Sequence, residues 1–339
     1  MLSESMLPTC SICIANYNGE SMLVDCLESV LGQGAEISIE VIVHDDASTD
    51  GSLALLRRYP HVILIASTEN VGFCIANNRM VARARGEFVL LLNNDAALKP
   101  DALATLLHAA RQQTRRGILT LPQYDWQTGL LVDRGCLLDP FYNPVENLDP
   151  ARQDVAMVIG ACLFVSRAVW NELGGFPEWF GSIGEDLYLC CLARLRGIPV
   201  QSTGSSGYRH RQGASFSGNR QNSSGLQTTF RRRRLSERNK TAAMIVCTPT
   251  GWVWPLLALH IAMLSLEGLV MTLGRGRRMW PEIYGPSIKS VFTDFGRLQA
   301  CRKHAQGHRQ ISLLAYLRCF VALPRKLALL IQHGLPQVK

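Results

Sequence analysis

Four short apolar runs punctuate the first hundred residues: Ser11–Ala15, Ile39–His44, Val62–Ala66 and Phe88–Leu92. They are nearly continuous in apolar character and rich in Val, Ile and Leu. Strands buried on both faces of a parallel sheet have this appearance. Between them the apolar spacing turns helical. In Ser21–Gln33 it runs through Met22, Leu23, Cys26, Leu27, Val30 and Leu31. Ser52–Tyr59 and Ile75–Ala84 predict two more helices, and Ala102, Leu103, Leu106, Leu107 and Ala110 mark a fourth. This β-α-β-α alternation predicts a doubly wound α/β domain. Further on, Ile118–Leu121 reads as a strand and Tyr124–Gly129 as a turn. Val155–Arg167 reads as a buried strand pair or a strand–helix junction, and Leu187–Arg196 as a helix opened by Glu185-Asp186.

Each of the four strands runs into a polar cluster. These are Asn16-Tyr17-Asn18-Gly19, Asp45 to Gly51, Thr68 to Gly72, and Asn93-Asn94-Asp95. Ligands of open α/β sheets bind beyond the carboxyl ends of the strands. Turn chemistry explains any one cluster, but four on one edge describe a polar cleft. The cleft lacks a GxGxxG after the first strand, and the chain lacks a Walker A sequence, which excludes those two phosphate-binding devices. Asp95, ending a strand, could hold a hard divalent cation. Mg²⁺ and Mn²⁺ need only one or two carboxylates when phosphate oxygens complete the shell.

The stretches SICIANYNGESMLVDCLESVLGQ, IEVIVHDDASTDGS and TENVGFCIANNRMVARARGEFVLLLNNDA resemble the amino-terminal half of family 2 glycosyltransferases. The resemblance runs through roughly residues 10–215. It implies a GT-A fold and a nucleotide-diphosphate-sugar donor. It also implies roles. Asp46, with Asp45 beside it, matches the acid that contacts the nucleotide base, and Ala15 and Asn16 lie at the loop approaching the nucleoside. Asn70, Gly72 and Asn78 match the segment that closes over nucleotide and donor sugar. Asn94 and Asp95 occupy the DxD-like position. An acid is common where Asn94 stands, so Asp95 is the implied metal ligand, for Mg²⁺ or Mn²⁺.

The segment GACLFVSRAVWNELGGFPEWFGSIGEDLYLCCLARLRG resembles the acceptor side of the same family. Acids at a helix start also have a plain electrostatic explanation, since they favour the positive end of the macrodipole. By the resemblance, Asp186 matches the catalytic base, with Glu185 orienting it or binding the acceptor hydroxyl. Phe176-Pro177-Glu178 departs from the usual Phe-Asp-Glu, and Tyr188 stands where a further acid is common. His210, in Tyr208 to Ser215, matches a histidine that completes metal coordination. Arg209 and Arg211 are alternative phosphate contacts. Ser217–Thr229, rich in Ser, Gly, Asn and Gln, reads as a mobile loop that orders over bound donor.

Charge divides the 339 residues. Residues 1–230 hold 17 basic and 23 acidic side chains, net −6, whereas 231–339 hold 18 and 4, net +14. The expected organisation is therefore a GT-A catalytic domain over 1–230 and a mainly helical, basic region over 231–339. The catalytic domain divides into a donor half near 9–115 and an acceptor half near 116–230. Arg231–Arg234 invites a nucleic-acid reading, but no RNA-binding motif accompanies it, and none is expected. LSERNKTAAMIV resembles a family feature in which an Arg-Asn pair, Arg238-Asn239, begins a helix. Thr241–Leu266 is uncharged, and Trp252 and Trp254 suit a membrane interface. Ile311–Gln332 interleaves apolar residues with Arg318, Arg325 and Lys326, as a basic interfacial helix would. Helices packed on the domain are the competing reading. Eleven cysteines, with no basic n-region in Met1–Pro8, suggest a reducing cytoplasmic setting. Cys10 and Cys13 read as core residues.

Together these features predict an inverting, rhamnosyltransferase-like enzyme at the inner face of the membrane. Its donor would be dTDP- or UDP-linked and its acceptor a glycan or lipid-linked glycan. Two rivals stay open. One is transfer to a polyprenyl phosphate, which needs no strong base. The other is a degenerate binding module.

Overall fold

The computed structural model describes residues 7–213, 220–222, 225–249, 251–335 and 337–338. Strands β1 (Cys10–Asn16), β2 (Ile39–Asp45), β3 (Val62–Ala66) and β4 (Phe88–Asn93) form where the four apolar runs lie. Between them stand α1 (Glu20–Leu31), α2 (Ser52–Leu56) and α3 (Phe73–Arg83). The strands are parallel, in the order β4-β1-β2-β3.

Alternate residues explain the unbroken apolar runs. Ile12, Ile14, Val41, Val43, Leu90 and Leu92 pack into one core with α1. Cys13, Ile42, Val89 and Leu91 face a second core on the other side. With both faces covered, no position is left for polar alternation.

The chain continues through β5 (Ala96–Leu98), α4 (Ala102–Gln112), β6 (Ile118–Thr120), β7 (Gln123–Asp125) and β8 (Leu131–Asp133). Next come β9 (Cys136–Leu138), β10 (Pro144–Glu146), β11 (Cys162–Ser166), α5 (Arg167–Leu173), α6 (Glu185–Leu195), β12 (Val200–Ser202) and β13 (Tyr208–His210). The main sheet has the order β12-β6-β11-β4-β1-β2-β3. β11 runs antiparallel to β4 and β6, so the sheet is mixed. Val155–Arg167 thus resolves as a strand–helix junction. A second sheet, β5-β13-β7-β8, covers the carboxyl edge beyond β4.

The remaining elements are β14 (Arg220–Asn222), β15 (Gly225–Thr228), α7 (Phe230–Cys247), α8 (Val253–Arg275), a π turn (Trp280–Tyr284), α9 (Gly285–Thr293), α10 (Phe295–Gly307), α11 (Leu313–Leu317), α12 (Arg325–His333) and β16 (Gln337–Val338). Two expectations are corrected here. The segment read as a mobile loop over Ser217–Thr229 contains the antiparallel pair β14–β15, and β15 also pairs with β16. Residues 214–219 and 223–224, including part of that loop and Ser215, lie outside the described residues. The interfacial helix read over Ile311–Gln332 is two short helices, α11 and α12. Pro324 starts the second, its ring and missing N–H being compatible with a helix start and not a helix interior.

Helix α7 begins at the charge boundary but does not leave the domain. Ala242–Cys247 are buried in the same core as α6. Glu237, Lys240 and Asn239 are also buried. Glu237 pairs with Lys240 at 2.6 Å, Lys326 at 2.7 Å and Arg233 at 3.1 Å.

Candidate functional site

The parallel register sets Asn16 opposite Asp45 and Ala15 between His44 and Asn93. Three polar clusters therefore share one edge. Asn94 donates to Asn16 Oδ1 at 2.8 Å, Asn16 donates to Asp45 Oδ2 at 2.8 Å, and Asp45 accepts from Ser48 N at 3.0 Å. Gly19 lies over this relay. A Cβ there would stand 2.1 Å from Asn94 Nδ2 and 2.3 Å from Asn16 Oδ1, so only glycine fits.

Asp46 organises the third cluster. Its carboxylate accepts from Val71 N at 2.7 Å and Gly72 N at 2.9 Å, while Asn70 donates to its carbonyl at 3.3 Å. The Asn70–Gly72 segment expected to close over the donor is thus tied to the residue expected to read the nucleotide. Asn78 is different. Its amide donates to Phe176 O at 2.9 Å and accepts from Phe176 N at 3.0 Å. Asn78 thus links α3 to the acceptor-side segment at Phe176.

Asp95 and His210 are brought together by strand pairing. Antiparallel β5–β13 sets His210 opposite Ala96, and Arg211 N donates to the Asp95 carbonyl at 2.9 Å. His210 Nε2 then lies 3.1 Å from Asp95 Oδ1, and its Nδ1 lies 3.2 Å from Gln123 Oε1. Gln123 Oε1 also accepts from Tyr208 OH at 2.7 Å. An imidazole nitrogen and a carboxylate oxygen at this separation are two ligand atoms of the kind that can share one divalent cation. The pair therefore fits a divalent cation by its donor chemistry. Among the described residues no cluster of three or more His, Cys, Asp or Glu is assembled for a metal. The further positions would fall to donor phosphates, as is usual for Mg²⁺ and Mn²⁺. Arg211, expected as a phosphate contact, stacks 3.6 Å from the Trp126 ring centroid and pairs with Asp25.

The acid pair enters from α6. Asp186 Oδ2 accepts from Gly160 N at 2.9 Å and Oδ1 from Leu187 N at 2.7 Å. Next to Gly160, the carbonyl of Ala161 accepts from Asn93 N at 3.1 Å. Two hydrogen bonds therefore connect Asp186 to the strand end carrying Asn94 and Asp95. Glu185 is buried and its Oε2 has no hydrogen-bond partner. Burial, and then the charge of Asp186, push Glu185 up to about 8. Burial also raises Asp186, against the two backbone N–H groups that favour its charged form. Burial raises both carboxyls, so near neutrality the pair is best described as sharing one proton. Arg232 of α7 faces both carboxyls. Burial lowers its pKa while their charges oppose that change.

The turn before α6 carries left-handed backbone at Gly181 (φ 71°), Ile183 (φ 68°) and Gly184 (φ 87°). For a β-branched residue this conformation is strained, by about 1–3 kcal/mol. Buried Asn239 holds it, donating to Ser182 O at 3.0 Å and Ile183 O at 2.7 Å. Arg238 donates to Trp179 O at 2.9 Å and Phe180 O at 3.0 Å. The same turn meets the donor segment, with Cys74 N donating to Gly181 O at 3.1 Å. Of these supports, the Arg238-Asn239 pair carried a family resemblance in the sequence, although it lies within α7 and not at its start, while Arg232 is hidden within a run of four arginines.

Residues 11–174 match the Glycosyl transferase family 2 profile. A similar curated protein is N-acetylglucosaminyl-diphospho-decaprenol L-rhamnosyltransferase of Mycobacterium tuberculosis. It is 30% identical over 192 residues, covering 47% of this chain and 62% of that protein. The chain thus spans about three fifths of that relative's length. Among solved structures, S. aureus TarS 1-349 in complex with UDP-GlcNAc superposes with a TM-score of 0.57 at 14% identity. The superposition covers 88% of this chain and 89% of that one. The mannosyltransferase PcManGT of Pyrobaculum calidifontis, in complex with GDP-Man and Mn²⁺, gives 0.53 at 18%, covering 86% and 88%. At these identities the structural likeness speaks for the fold, which is GT-A with a helical C-terminal region. Residues 11–174, which hold every donor-side candidate except Arg209, His210 and Arg211, belong to glycosyl transferase family 2.

Proposed function

We propose that this chain is an inverting glycosyltransferase of cell-surface polysaccharide synthesis. It would move a sugar, rhamnose or a similar one, from a dTDP- or UDP-linked donor to a hydroxyl of a lipid-linked glycan at the cytoplasmic membrane face. The relative's name, with its diphospho-decaprenol acceptor, supports the lipid-linked part of this reading. The observation that carries the chemistry is the connection of Asp186, through Gly160 and Ala161, to the strand end bearing Asn94 and Asp95.

In the proposed step the acceptor oxygen attacks the anomeric carbon opposite the diphosphate. Its proton passes to Asp186 as the new C–O bond forms. The bond to the leaving diphosphate breaks, and its electron pair departs with the nucleotide. Gly160 N–H and Leu187 N–H fix the carboxylate, and in this step the pair's shared proton rests on Glu185. Negative charge near the anomeric carbon favours its oxocarbenium-like state. Asp95 and His210 would hold Mg²⁺ or Mn²⁺, which when bound supplies Lewis-acid stabilisation of the diphosphate. Asp46 holds the Val71–Gly72 backbone beside the nucleotide.

The test is a panel of dTDP- and UDP-sugars with and without Mn²⁺, read by thermal shift and by transfer to a diphospholipid-linked acceptor. One donor should stabilise the protein and transfer its sugar. No stabilisation and no transfer across the panel would refute the reading.

A further inference from the structure

Helix α8 is 23 residues long and apolar enough, by length and composition, to cross a membrane. Its two faces differ sharply. Trp252, just before the helix, begins an outward stripe continued by Leu259, Met263, Leu266, Val270 and Leu273. All six are exposed, Leu273 to 80%. The spacing after Trp252 is seven, four, three, four and three residues, one helical face. An uncovered apolar stripe this long is not what a water-facing helix carries.

The opposite face is locked to the protein. Glu267, the single acid of α8, pairs with Arg233 and with Lys326 Nζ at 2.6 Å, and accepts from Tyr284 OH at 3.0 Å. His260 Nε2 lies 2.9 Å from Thr241 Oγ1. Gly268 lies so close to Tyr284 that a Cβ would fall 2.8 Å from its Cγ. Leu264 and Met271 pack with Ile283 and Tyr284. A helix turned to span a bilayer would pull this ion network apart and carry Glu267 into hydrocarbon. A helix lying flat keeps every contact.

Charge identifies what covers the stripe. At its carboxyl end stand exposed Arg275 and Arg277. At its amino end, Trp254 packs near α10, with its ring 6.3 Å from Phe295 and 6.0 Å from the Arg302 guanidinium. α10 there exposes Arg297 and Lys303. An apolar stripe with bases at both ends and tryptophans at one is the pattern of an interfacial helix on anionic lipid. Resting on the lipid-linked acceptor proposed above, we infer that α8 lies in the plane of an anionic membrane surface, its outer stripe at the headgroup–acyl boundary, holding the catalytic domain beside its substrate.

The full chain should co-sediment with vesicles of one part phosphatidylglycerol to three parts phosphatidylcholine, and much less with phosphatidylcholine alone or in high salt. The double variant Met263→Glu/Val270→Glu should reduce partitioning by about tenfold or more, with unchanged melting and donor thermal shift. If the pair unfolds, Leu273→Glu alone provides the same reading. Undiminished vesicle binding by a folded variant, or no binding by the parent chain, overturns the inference. So does resistance to alkaline extraction, which would mean a span. A lipid-independent dimer abolished by the same variant would assign the stripe to a second copy and overturn it too. Vesicle binding without transfer to a diphospholipid-linked acceptor from any donor of the panel would sink the catalytic reading alone, and transfer without vesicle binding would sink this one alone.

Discussion

Donor-side and acceptor-side polar groups are held by different kinds of neighbour. Asn16, Asp45 and Asn94 are fixed by each other across adjacent parallel strands, and Asp46 by the segment after the next strand. Glu185 and Asp186 depend on a turn that Asn239 grips from 56 residues further along, on α7. The donor-side carboxylates of Asp45 and Asp46 accept hydrogen bonds from Asn16 and from backbone N–H groups, while the acceptor side keeps an acid pair buried beside Arg232. Damage to α7 should therefore affect turnover and leave donor binding intact.

The sharpest test is Asp186→Asn. Its turnover should fall by about a thousandfold, within the range of a lost general base, with the donor thermal shift unchanged. Near-normal turnover would favour an acceptor that is already an anion. Asp95→Ala should abolish the Mn²⁺-dependent part of the donor thermal shift, and His210→Ala should weaken it by about tenfold, as for a lost ligand or supporting partner. A donor shift equally sensitive to Asn239→Ala would break the comparison. That variant should instead lower kcat about tenfold at constant donor KM and cost about 1–3 kcal/mol of stability, because buried carbonyls lose their donor.

The smallest effect concerns pH. Burial holds Glu185 at about 8 against its usual 4.5, so the folded chain retains a proton there that the unfolded chain releases. This contribution leaves stability highest below pH 4.5 and erodes it as pH rises towards 8. Glu185→Gln removes the erosion. Its melting temperature should gain on the parent by a few degrees between pH 5 and pH 8, with kcat at neutral pH within a fewfold. A melting difference constant across that range would mean the proton is not on Glu185.

The parallel strands were legible because burial on both faces leaves an uninterrupted apolar run, and β3 spans the expected Val62–Ala66. The polar clusters were legible because strand ends need turn residues there. Other features left no local mark. The β14–β15 pair lies in a polar stretch without apolar alternation, whereas the break at Pro324 is marked by the proline itself, which a continuous helix over Ile311–Gln332 does not accommodate. The second role of Asn78, tying α3 to Phe176, spans 98 residues and has no periodic signature. Nor did four consecutive arginines indicate which one turns towards the acids.

The pairing of His210 with Asp95 joins residues 115 apart, and the acceptor-side segment is the loop it closes. Side chains alternate along a strand, so a slip of one residue in β5–β13 would replace His210 by Arg209 at that position. The donor pocket is thus a clasp whose two ends are set by one short strand register. The chain between those ends carries β6, β11 and β12 of the main sheet, so the same register that joins His210 to Asp95 also ties that pair to the packing of the core.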